Sequence, residues 1–107
     1  MEFTDKEKAA LIGVLSAIIY ADGFIDQKEV DYMGRIKYEL GISDELMPVS
    51  LEIEPSEAFE IISAMSDDKK KVAGEILMKM AYIDKELDAT EYRLVAGILL
   101  KCGIVPD

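Results

Sequence analysis

Residues Leu15–Ile42 recur, without a gap, as Leu77–Ile104. Eight of the twenty-eight aligned positions are identical: Leu15/Leu77, Tyr20/Tyr82, Asp22/Asp84, Asp26/Asp88, Glu29/Glu91, Ile36/Ile98, Gly41/Gly103 and Ile42/Ile104. Chance identity at this composition is roughly two, so this is an internal repeat. Unmatched pairs such as Ile18/Met80, Ile25/Leu87 and Met33/Val95 keep their apolar character. Each copy reads as a helix, an acidic corner and a second helix. The expectation is two helical hairpins packed on each other and joined by a middle connector and helix.

Local signals agree with an all-α chain. Thr4-Asp-Lys-Glu7 is a capping-box pattern, in which the hydroxyl and the carboxylate each satisfy an unpaired backbone N–H. Behind it Leu11, Val14, Leu15 and Ile18 recur at helical spacing, widened by Ile12 and Ile19. Asp26-Gln-Lys-Glu29 and Asp88-Ala-Thr-Glu91 are two further capping boxes. Val30, Met33, Ile36 and Leu40 trace one apolar face, and Val72, Ile76, Met80 and Ile83 another, flanked by Ala73 and Leu77. Tyr92, Val95, Ile98 or Leu99, and Cys102 are expected to face inward in the last helix. Gly41 and Gly103 are placed to end helices in the left-handed conformation. Ser43 is read as opening a short helical turn that stops before Pro48, and "PVSLEIE", residues 48–54, as an extended connector. Pro55 suits the first turn of a helix, and Ser66 caps the next one, with Asp67 and Asp68 at its positive end. Lys69–Lys71 is expected on a solvated helix face. The fold expected is a compact helical bundle, one domain over 1–107, with repeat halves at about 11–42 and 72–104.

Composition narrows the chemistry. The chain carries a net charge of −10, which opposes direct contact with nucleic-acid phosphates and with anionic lipid. It favours cations and partners with a basic surface. The longest apolar run, Ala9–Ala21, has thirteen residues, short of the roughly 17–25 of a spanning helix. The charged N-terminus shows no secretory signal, so a soluble, cytoplasmic protein is expected. With no histidine and one cysteine, Ser-His-Asp and Cys-His catalysis, His-containing zinc sites and intrachain disulfides are all excluded. Cys102 matches Leu40 in the repeat, an inward position, and is read as a buried, inert thiol.

The corners "YADGFIDQKE" and "YIDKELDATE" share the pattern Y-x-D-x-x-[apolar]-D-x-x-E. One reading is purely structural: Asp26 and Asp88 are N-caps, and Glu29 and Glu91 complete their boxes. It leaves Asp22 and Asp84 unexplained. The other reading pools Asp22, Asp26, Glu29, Asp84, Asp88 and Glu91 around one site. Carboxylates that close raise each other's pKa, and a hard divalent cation (Ca²⁺, Mg²⁺ or Mn²⁺) would relieve the repulsion. A conventional EF-hand does not fit, because its first and third loop positions would be Ile18 and Tyr20.

A hairpin with "ADGFID" and a following Glu in its first corner, echoed by Asp84, Asp88 and Glu91 in a second, resembles the TerB-like family of tellurite-resistance proteins. The same module is fused to J-domains in some bacterial proteins. The resemblance spans Leu11 to Ile104. It implies an all-helical, non-enzymatic domain with a twofold acidic motif that binds metal, associated with tellurite resistance and stress-response complexes, some at membranes. Position by position, the motif acids are Asp22, Asp26 and Glu29, then Asp84, Asp88 and Glu91. The chain departs from the pattern in being short and in having Lys85-Glu86 where the first corner has Gly23-Phe24. Lys85 offsets part of the acid cluster and weakens the case for a metal. The function expected is a small acidic binding module working through a divalent cation or a basic partner surface. The alternative is a structural interaction domain whose acids only cap helices and carry surface charge. An enzyme ranks third, since no nucleophile or substrate pocket is recognisable.

Overall fold

Thr4 starts the first helix as its side chains predict. Its hydroxyl accepts the Glu7 N–H at 3.1 Å, while its own N–H donates to Glu7 Oε1 at 2.8 Å. In the computed structural model, which describes residues 2–20, 27–83 and 89–104, the helix that follows is α1, Asp5–Tyr20. The others are α2 (Gln27–Glu39), α3 (Leu46–Glu52), α4 (Pro55–Ser63), α5 (Asp67–Tyr82) and α6 (Ala89–Lys101). No strand occurs among the described residues.

The repeat governs the helix boundaries as well as the sequence. α5 starts and ends 62 residues after α1, and α6 starts and ends 62 residues after α2. Ser66, which stands 62 residues after Thr4, caps α5 by accepting the Lys69 N–H at 3.3 Å. The C-terminal ends match too. Gly41 and Gly103 adopt φ of 65° and 72°, and behind them Ile42 N–H donates to Lys37 O, and Ile104 N–H to Leu99 O, both at 2.8 Å. These are the closing bonds of a left-handed helix cap. The structural repeat therefore runs from Thr4 to Ile42 and from Ser66 to Ile104, wider than the sequence identities alone.

α1 lies at the centre and packs against α2, α3, α4 and α5. Its Leu11, Ile12 and Leu15 are wholly buried, as are Leu77 of α5 and Leu99 of α6. Each such side chain removed from water contributes about 1.5–3 kcal/mol. Cys102 is equally buried, on the inner face where the repeat puts it.

Three expectations change. Residues 48–54 are not an extended connector: α3 runs through Pro48 to Glu52. Pro48 is the third residue of that helix, where its missing N–H has no intrahelical acceptor to lose. The helix forms because it packs on α1. Ser50 is buried and satisfies its hydroxyl on the Leu46 carbonyl at 2.7 Å. Gly13 permits the approach, since a Cβ there would stand 3.3 Å from the Ser50 carbonyl oxygen. Second, the inner face of α2 is Tyr32, Met33 and Ile36, with Leu40 half-buried, while Val30 is largely exposed. Tyr32 can be buried because its hydroxyl donates to the Ile76 carbonyl of α5 at 3.2 Å. Burial raises its pKa, and the Glu39 charge adds to that against the opposing effect of Arg35. Third, Lys69 is not on a solvated face but is mostly covered, paired with Glu7.

Candidate functional site

The two acidic corners join α1 to α2 and α5 to α6. α1 ends at Tyr20 and α2 begins at Gln27, and the second pair repeats this at Tyr82 and Ala89. Tyr20 and Tyr82 are exposed at these helix ends. Glu29 and Glu91 are the third residues of α2 and α6, the place a capping box assigns to its Glu. The Glu29 side chain is partly buried. Asp22, Asp26, Asp84 and Asp88 lie outside the described residues, and so does the question of whether the six acids converge. Among the described residues no group of three or more acids, histidines or cysteines is placed to hold a metal. As a donor set, six carboxylates with no nitrogen or sulfur fit a hard, oxygen-seeking divalent cation rather than zinc or copper.

An ion pair that the sequence pattern does not announce links the two repeats. Lys69 Nζ lies 2.8 Å from Glu7 Oε1, with both side chains largely shielded. The two residues hold equivalent positions, 62 apart, at the third turn-forming position of α1 and of α5. Partial burial pushes the Glu7 pKa up, but the Lys69 hydrogen bond and charge and the Thr4 amide outweigh it, leaving Glu7 below the ordinary glutamate value. The clue available in the sequence was the opposite charge at matched repeat positions. Lys69 also takes the place of the reciprocal Glu of a full capping box, which is why Ser66 caps α5 alone.

Cys102 is the only thiol, and burial pushes its pKa up to about 11. It is not a nucleophile at neutral pH. No helix among the described residues is long and apolar enough to cross a membrane. A groove of about 530 Å³ runs along α5 as far as Tyr82, beside the end of α6.

The sequence model of a family described as "Tellurite resistance protein TerB" matches residues 1–47, which include the whole first repeat and its acidic corner. Among solved structures, the chain is similar to a protein of unknown function from Porphyromonas gingivalis. The two are 30% identical with a TM-score of 0.89, over 100% of this chain and 84% of that one. No functionally curated protein matches.

Proposed function

From the premise that the chain belongs to the TerB-like family, we propose that it is a small acidic, non-enzymatic binding module. It takes a divalent cation at its twin acidic corners and serves in a stress-response complex, through a partner with a basic surface. The observation that carries the reading is the common 62-residue offset of α1/α2 and α5/α6, which sets the same two Asp residues between matched helix ends twice, each pair followed by a Glu at the third position of the next helix. Helix capping alone requires one Asp and one Glu per corner, and each corner has a second Asp. Asp22, Asp26 and Glu29 would supply oxygens from one corner, and Asp84, Asp88 and Glu91 from the other. The cation would offset carboxylate repulsion and so favour the folded hairpins.

The second reading is a structural interaction domain in which all six acids are caps and surface charge. What favours it is the position of Glu29 and Glu91 in their helices, together with Lys85 in the second corner. Calorimetric and thermal titrations with Ca²⁺, Mg²⁺ and Mn²⁺ at constant ionic strength separate the two. An Asn at an N-cap keeps the capping oxygen, so Asp26→Asn leaves helix stability nearly unchanged, and Asp22→Asn costs nothing as a cap. If the corners bind the ion, the ion raises the wild-type melting temperature more than that of either variant, because binding to the folded state stabilises it. Equal shifts in all three proteins would sink the cation reading and leave the structural one.

A further inference from the structure

The two repeats differ in what lies on their first helix. In the first repeat the strip of α1 made by Ala9, Ile12 and Gly13 is covered. Ala9 and Ile12 are buried, and α3 approaches Gly13 closely enough that a Cβ would stand 3.3 Å from the Ser50 carbonyl oxygen. The matching strip of α5 is Lys71, Gly74 and Glu75; Ile104 packs on the buried Gly74, but Lys71 and Glu75 are exposed, beside an open groove of about 530 Å³. Its apolar lining includes Gly74, Met78, Leu99 and Ile104, and α5 adds Lys70 and Lys71 together with the acids Asp67 and Glu75. Neither lysine makes an ion pair within 4.0 Å among the described residues, whereas Lys69 beside them does. In a chain of charge −10, the groove thus carries two lysines that form no ion pair among the described residues, at the α5 end of a partly apolar lining.

We propose that this groove is a docking site for a short helix of a partner protein, apolar along the buried side and acidic at the end that meets Lys70 and Lys71. The first repeat shows the kind of occupant. α3 is seven residues long, three residues beyond the glycine cap and Ile42, and its segment "DELMPVSLE" is apolar with acidic ends. Docking here requires no metal ion.

The probe is a labelled, end-blocked peptide of residues 43–54, titrated into the full chain with EDTA present, so that failure of the cation reading has no bearing on the result. Saturable anisotropy is expected, with the Met78 methyl resonance moving and that of Met33 fixed. Lys70→Glu/Lys71→Glu should weaken binding at least fivefold, and Met78→Glu should abolish it. Lys71 is exposed, so Lys71→Glu alone tests the charge contact without threatening the fold. Three outcomes overturn the proposal: no saturable binding, binding that ignores these changes, or shifts at Met47 in place of Met78, which would mean the peptide had only displaced the chain's own α3. Self-association that Met78→Glu removes, without any response to the peptide, would assign the groove to a second copy instead.

Discussion

Cys102 shows how one buried position sets chemistry. Burial drives its thiol to about 11, so almost none is thiolate at neutral pH, and no other cysteine exists to pair with it. Labelling by a thiol reagent should therefore be slow in the native protein and speed up in step with denaturant-induced unfolding. Prompt stoichiometric labelling of the folded chain would contradict this. Glu7 makes a second prediction at this scale, and its sign follows from the lowered pKa. A depressed carboxylate adds stability that is complete above its ordinary value of 4.5 and is lost as pH falls through the lower folded value. The stability difference between wild type and Glu7→Gln should thus be largest above pH about 5 and shrink in acid. A difference that stays flat down to strongly acid pH would show that the Lys69 pair contributes nothing through charge.

Among the elements, the helix ends are the places where single residues decide structure. Gly41 and Gly103 both hold positive φ, where a Cβ costs about 1–2 kcal/mol. Their surroundings differ: a Cβ at residue 41 would meet nothing within 4 Å, whereas at 103 it would stand 3.4 Å from the Ser63 Cβ and the Lys70 Nζ. Denaturant melts should find both Gly→Ala variants destabilised by about 1 kcal/mol, with Gly103→Ala at least as costly. An unchanged midpoint for either would contradict the capping geometry. The junction of α1 and α3 is tighter. Gly13→Val would push side-chain atoms into the Ser50 backbone, costing about 1–3 kcal/mol as overpacking. Hydrogen exchange should show α3 losing protection before α1 in that variant. Loss of protection in both helices together would mean α3 is not a separable element.

Across the whole molecule, charge is the dominant long-range fact. With 22 acids against 12 bases, like-charge repulsion opposes the compact state. Raising ionic strength from about 0.01 to 0.15 M shortens the screening length from about 30 to 8 Å. The melting temperature should therefore rise with monovalent salt, and a fall would show that ion pairs such as Glu7–Lys69 outweigh the repulsion. This response is also the baseline against which any divalent-ion effect has to be measured.

The sequence by itself determined the helices with local stop and start signals. Thr4, Ser66, Gly41 and Gly103 act on backbone groups within a few residues of themselves, so no distant contact is needed to read them. It also determined the repeat and the two acid sets, because identity at a fixed offset survives without knowledge of space. Only the tertiary structure decided the rest. "PVSLEIE" alternates like a strand, yet most of it is helical because it lies against α1 at Gly13. Tyr32 replaces Val30 on the inner face because a carbonyl of α5 receives its hydroxyl. Lys69 left the solvent because Glu7, far away in sequence, stands beside it. In each case the deciding partner is remote along the chain, and burial of apolar and polar groups depends on which surfaces meet. A one-dimensional pattern does not carry that information.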